Sequence, residues 1–238
     1  MKIQKRSLRV AVITILFFCS SACVTSYEEN KSQIRSGEYL KSDYVDALER
    51  THSALAALNS SSEPTLLRAY KGEYDLVLVH DFHEFHYGLN IMEDGTAHRM
   101  GGKGEGHSIV SATMDGNNLI LTGYDSDGPL RYVYVGDAQR FVARKVIVGD
   151  YVDADGNLYS FKEDGTADFG NSQISYEVGL DFVLRPGSNK RDYFQNSKSR
   201  ELFEFEMKDG VMHVYRTSGQ EAMDVEAEPF LNIKRTDF

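Results

Sequence analysis

Tryptophan is absent from this chain, proline occurs four times, and the only two cysteines are Cys19 and Cys23. Without tryptophan, aromatic packing falls to 14 tyrosines and 13 phenylalanines. Scarce proline beside 20 glycines points to turns rather than disorder. The apolar run near the start, Val10–Cys19, has ten residues, about half of the roughly 20 that a membrane-crossing helix needs. Positive charge is also short. Beyond residue 22 the chain holds 22 Lys and Arg against 36 Asp and Glu, a net charge of −14. That balance excludes a nucleic-acid partner, whose phosphates demand a basic surface, and suits a self-repelling, soluble domain.

What the first residues do have is an address. Lys2, Lys5, Arg6 and Arg9 precede the apolar run, and Ser20, Ser21 and Ala22 follow it. A basic start, a short apolar core and a small-residue exit describe a secretory signal peptide over 1–22. Cleavage before Cys23 discards Cys19 and leaves one cysteine, at the new first position, where no internal disulfide can form. A lone thiol in an oxidising compartment calls for a reason, and acylation supplies one. Ser20-Ser21-Ala22-Cys23 resembles the lipobox of bacterial lipoproteins, although that family usually has Leu where this chain has Ser20. The resemblance implies a lipid on Cys23 and a protein held to the membrane by that anchor. Val24 follows the cysteine where an aspartate would favour the inner membrane. The family pattern therefore implies the periplasmic face of an outer membrane. Ordinary cleavage after Ala22 would instead give a soluble periplasmic or secreted protein.

The remaining 216 residues are enough for one large or two small cores. Residues 23–71 read as a tether and a helical segment. Leu40, Tyr44, Ala47, Leu48, Thr51, Leu55 and Leu58 recur at steps of three and four, the stripe of an amphipathic helix. Pro64 suits the first turn of a second short helix through about Tyr70.

After Gly72 the pattern becomes that of strands. Asp-Gly occurs six times, supplying the positive φ of tight hairpin turns. Between these turns lie β-forming runs such as Leu119–Tyr124, Arg131–Val135, Asn157–Phe161 and Leu202–Met207. In the last run Phe203, Phe205 and Met207 alternate with Glu204 and Glu206, one face in and one out. The fold class expected is mainly β, an antiparallel meander or barrel after an N-terminal helical segment. Glu-Asp-Gly-Thr-Ala falls at 93–97 and again at 163–167, each time after a Gly-acid-Tyr opening at 72–74 and 149–151. Two tandem β units are expected, over 72–148 and 149–238. Glycine, one residue, an aromatic, then a hairpin with Asp-Gly-Thr resembles the opening of bacterial lipocalin-like domains. That resemblance implies small antiparallel barrels, often on secreted lipoproteins, that bind small ligands or other proteins.

Two stretches stand out as candidate sites. "HDFHEFH" places His80, His83 and His86 around Asp81 and Glu84, in about seven residues the second unit lacks between its opening strands. Imidazoles with carboxylate support suit a transition metal. In one extended strand, however, His80 and His86 would stand roughly 20 Å apart, so only a tight loop could bring all three together. The alternative is a polar hairpin with Phe82 and Phe85 packed inward. His98, His107 and His213 are further histidines that neighbouring strands could bring in. The second stretch, 185–200, has five basic residues and one acid. Arg185, Lys190 and Arg191 with Tyr193 and Phe194 read as a basic, aromatic-tipped loop for an anionic ligand or a partner protein.

Other motifs fail on inspection. Asp153–Asn157 matches half a calcium loop, but Leu158 replaces the turn glycine and Asp164 the final glutamate. Gly101–His107 lacks the Lys-Ser/Thr ending of a phosphate loop, and Gly106–Val110 lacks the second glycine of a nucleophile elbow. With no catalytic constellation in view, the expectation is no enzyme and no cofactor. The role expected is a non-catalytic envelope lipoprotein binding a small ligand or another envelope protein. The alternative is a metal-binding envelope protein using the His80–His86 hairpin.

Overall fold

The structure, a computed structural model, describes residues 34–61, 64–70, 72–80, 82, 84–92, 96–100, 109–123, 128–180, 191–217 and 228–236. The expected signal peptide, 1–22, and Cys23 lie outside these residues. Two closed eight-stranded antiparallel barrels follow one another along the chain. The first comprises β1 (Gly37–Lys41), β2 (Leu66–Ala69), β3 (Leu76–His80), β4 (Glu84–Ile91), β5 (Thr96–Met100), β6 (Ile109–Asp115), β7 (Asn118–Thr122) and β8 (Leu130–Gly136). Each strand pairs with the next, and β8 returns to pair with β1. The second comprises β9 (Gly149–Val152), β10 (Leu158–Phe161), β11 (Thr166–Phe169), β12 (Ser172–Val178), β13 (Asp192–Asn196), β14 (Leu202–Lys208), β15 (Val211–Arg216) and β16 (Leu231–Arg235). It closes where Lys234 and Arg235 pair with Val152 and Tyr151. Closure removes the exposed edges that make open sheets prone to aggregation. Asp209 (φ 52°) and Gly210 (φ 76°) form the kind of tight turn that Asp-Gly predicts, between β14 and β15.

The second barrel opens with β9 at Gly149, and the mainly β architecture agrees with the sequence pattern. The start of the first unit does not. Strands β1 and β2 lie before Gly72 and complete the first barrel, so that unit begins at Gly37 rather than at 72. The expected helix after Pro64 is β2. Leu67 and Ala69 face the barrel interior while Leu66 and Arg68 lie outside, and because Leu66 is buried too the short strand shows little alternation. The helical stripe is present but is split into α1 (Ser42–Thr51) and α2 (Ala54–Ser60), inserted between β1 and β2. His52 breaks it with a left-handed φ of 50°. A third helix, α3 (Ala138–Val146), joins the barrels.

The repeated Glu-Asp-Gly-Thr-Ala phrase lies between the fourth and fifth strands of the first barrel but between the second and third of the second. Aligned on that phrase, β9 matches β3, and β15 and β16 occupy the places of β1 and β2. The two barrels are thus offset by two strands around the same closed ring.

Side chains fill both interiors. Tyr39, Leu67, Leu78, Leu89, Leu119 and Tyr132 pack inside the first barrel. The second is aromatic. Phe161 meets Tyr151, Phe169, Tyr176 and Phe194 edge-on, with ring centroids 5.3–6.0 Å apart, and Phe194 stacks on Phe203 at 5.0 Å. Phe203 and Phe205 are buried as the alternation predicts. Glu204 is buried as well, at 1 % exposure, on the opposite face beside Arg191. The second interior is continuous with the apolar faces of α1, α2 and α3 and with Leu40, Leu66 and Val79 on the outer wall of the first barrel. The helical insertion therefore belongs to the first unit in sequence and is buried with the second.

A buried carboxylate holds this joint. Asp192, at the start of β13, faces Phe205 across the ladder and is 5 % exposed. It accepts the Leu55 N–H at 2.8 Å, with the Ala54 N–H and the Ser53 hydroxyl also directed at it. Ser53 caps the Ala56 N–H at 3.0 Å, so the opening amides of α2 are all engaged. Burial raises the Asp192 pKa against the lowering effect of these donors. The folded state thus holds this proton more tightly than the unfolded chain does. The resulting stability is fully present below the ordinary value of 3.8 and is lost as pH rises through the raised one. Asp192→Asn keeps an acceptor and removes the charge. Denaturation at neutral pH should find it as stable as the parent or more so, with the gap closing as pH falls toward 4. Asp192→Ala strands buried amides and should cost about 1–3 kcal/mol.

Candidate functional site

The histidine stretch forms the hairpin of β3 and β4. His80 pairs with Glu84, and His86 is the extra residue of a bulge, since Leu78 faces Tyr87 and Val79 faces Phe85. His83 lies outside the described residues, and for His86 only the backbone is described. The chain reverses between His80 and His86, so the separation a single strand would impose does not arise. His98 sits in the neighbouring β5, whereas His213 sits in the second barrel, hydrogen-bonded to Asn232. Among the described residues, no three His, Cys, Asp or Glu side chains gather as a metal-ligand group. Phe82, at the tip with φ 68°, is buried edge-on against Tyr44 of α1, centroids 5.4 Å apart. The tip is thus pinned to the helices.

In the second stretch, Arg185 and Lys190 lie outside the described residues. Residues 192–196 are not a loop but strand β13. Phe194 is fully buried in the second barrel's core. Arg191 stacks 3.7 Å over the Tyr215 ring and faces Glu204 at 3.6 Å and Glu206 at 4.0 Å. Its charge is matched by carboxylates of its own barrel. Tyr193 lies on the outer face, its ring over Gly179, where an added Cβ would fall 1.9 Å from the ring.

The Asp153–Asn157 turn is closed by its own donors. Asp153 accepts from the Asn157 side chain at 2.8 Å, the Asn157 and Asp155 amides at 2.8 and 2.9 Å, and the Tyr159 hydroxyl at 3.1 Å. Chiefly the Asn157 side-chain amide holds the Asp153 carboxyl below the usual range. This is the hairpin that Asp-Gly implied.

The feature that sequence reading missed lies between the barrels. A cleft of about 290 Å³ opens there, and both candidate stretches reach it, Phe82 from the hairpin and Tyr193 from β13. Leu66, Val178 and Leu180 add apolar surface. Glu38 of β1 anchors one side. Its Oε1 accepts from Arg68 Nε at 3.0 Å and its Oε2 from the Ala138 N–H at 2.7 Å. A carboxylate at the N-terminus of α3 is favoured by the helix dipole. Asp137 caps the same helix through the Arg140 N–H at 3.0 Å. Gln139 then reaches across and donates to the Val178 carbonyl of β12. Asp137 followed by Ala138, Val142 and Val146 was the sequence signal for α3; nothing local marked the cleft. Comparison of the chain with known protein families, curated proteins and solved structures finds no match.

Proposed function

We propose that the protein is a non-catalytic binding protein of the cell envelope, anchored through a lipid on Cys23, with the inter-barrel cleft as its ligand site. The observation that carries this reading is the cleft itself. Among the described residues, apolar side chains pack inside both barrels, which favours the seam over a lipocalin-like interior as the place for a ligand. The two stretches that composition singled out meet at the seam instead. About 290 Å³ is near the lower bound of small-molecule sites, roughly 300 Å³, and favours a small ligand over a partner's surface. The signal-like start and the lone cysteine support the anchor. Among the described residues no helix is long and apolar enough to cross a membrane, so attachment in this reading rests on the acyl chains.

A second reading keeps the histidine hairpin as a metal site. It is favoured by the register, which sets His80 and His86 on adjacent strands beside Glu84.

Three measurements test these readings. Cys23→Ser should move the protein from the membrane fraction to the soluble one; unchanged membrane association sinks the anchor. Small-molecule screening by amide NMR should give hits that shift resonances around Phe82, Gly179 and Tyr193. Those hits should weaken in Gly179→Ala, where the new methyl displaces the Tyr193 ring. Hits that map to the barrel interiors would falsify the cleft reading. Calorimetric titration with Zn²⁺ should show one site that His80/His83/His86→Ala abolishes if the second reading holds. Equal binding by parent and variant ends it.

A further inference from the structure

The chemistry of the cleft restricts what it can hold. Two carboxylates, Glu38 and Glu177, face it with one guanidinium, Arg68, a net charge of −1. Arg68 is engaged with Glu38, which also takes the first amide of α3. That leaves Glu177. It is exposed on β12 and accepts the neutral Ser197 hydroxyl at 3.4 Å, and no cation pairs with it among the described residues.

The two glutamines reinforce this sign. A carbonyl only accepts, so the amide nitrogen of Gln139 must face Val178 and that of Gln195 must face Arg200, at 3.0 Å. Each side-chain oxygen is left as an acceptor. Beside these acceptors stand the Phe82 and Tyr193 rings, whose faces attract cations. Tyr193 is held flat on Gly179, which has no Cβ to lift it. The remaining wall, Leu66, Val178 and Leu180, is apolar.

We infer that the cleft binds a small organic cation: an amine or guanidine at Glu177 and the two aromatic rings, on a short apolar stem against Leu66, Val178 and Leu180. This inference rests on the cleft being the ligand site. It differs in sign from the anionic ligand that the basic stretch 185–200 suggested; of that stretch, Arg191 is engaged with Glu204 and Glu206 on the second barrel.

The test uses three probes with one stem and different charge: 3-phenylpropylamine, 3-phenylpropanol and 3-phenylpropanoate. Each is titrated into the exported chain carrying Cys23→Ser, followed by amide NMR. The amine should shift the resonances around Phe82, Gly179 and Tyr193 and should bind roughly tenfold or more tightly than the carboxylate. Its affinity should fall with added salt. Glu177→Lys turns the lining from −1 to +1 and should weaken the amine by roughly tenfold or more, with Glu177→Gln between. Glu177 is exposed, so neither change threatens the fold. A carboxylate or alcohol that binds the same resonances as tightly as the amine overturns the cation and leaves the cleft standing. Silence of the cleft to all three probes overturns the cleft as well.

Discussion

The molecule depends on burying one helical hairpin that the first barrel carries but cannot cover alone. Helices α1 and α2 leave the first barrel between its first two strands with an apolar stripe that includes Tyr44, Leu48, Ala54 and Leu55. The outer wall of the first barrel offers that stripe Leu40, Leu66 and Val79, and the rest of its cover comes from a second partner. The second barrel provides it, merging its aromatic interior with the stripe into one core. Asp192 fixes the alignment by taking the free amides of α2. A buried carboxylate costs solvation, and its donors offset this only in one geometry. The ion therefore sets where the helix sits more than it adds stability.

From that joint the seam between the barrels follows. Once α1 is seated, Phe82 packs on Tyr44, and α3 spans from Glu38 of β1 to Val178 of β12. The cleft is what this arrangement leaves open. Its walls come from both barrels and the linking helix, so its shape is tied to how the barrels are docked. Ligand binding there would act directly on the joint, since each wall is anchored to an element that forms it.

Charge follows the same division. Arg191, from the basic stretch 185–200, is balanced within the second barrel, where it lies over Tyr215 and beside two glutamates. The cleft keeps a carboxylate and an amide oxygen from each of two glutamines.

The local chemistry of the chain determined much of this protein. Alternating Phe203 and Phe205 are buried, and Asp209–Gly210 turns as that dipeptide prefers. The apolar stripe from Leu40 is largely helical, and the recurring hairpin phrase falls once within each of the two barrels. Each is a short-range property, set by side-chain period or backbone φ. Tertiary structure alone decided the rest. Strands β1 and β2 belong to a barrel only because β8 closes on β1, a pairing of residues about a hundred positions apart. Leu66-Leu67-Arg68-Ala69 shows little alternation because Leu66 on its outer face is buried in the core that includes the helices, while Leu67 and Ala69 fill the barrel. Phe82, Glu38 and Tyr193 meet because two rings are docked through a third element, and no spacing in a sequence encodes that distance.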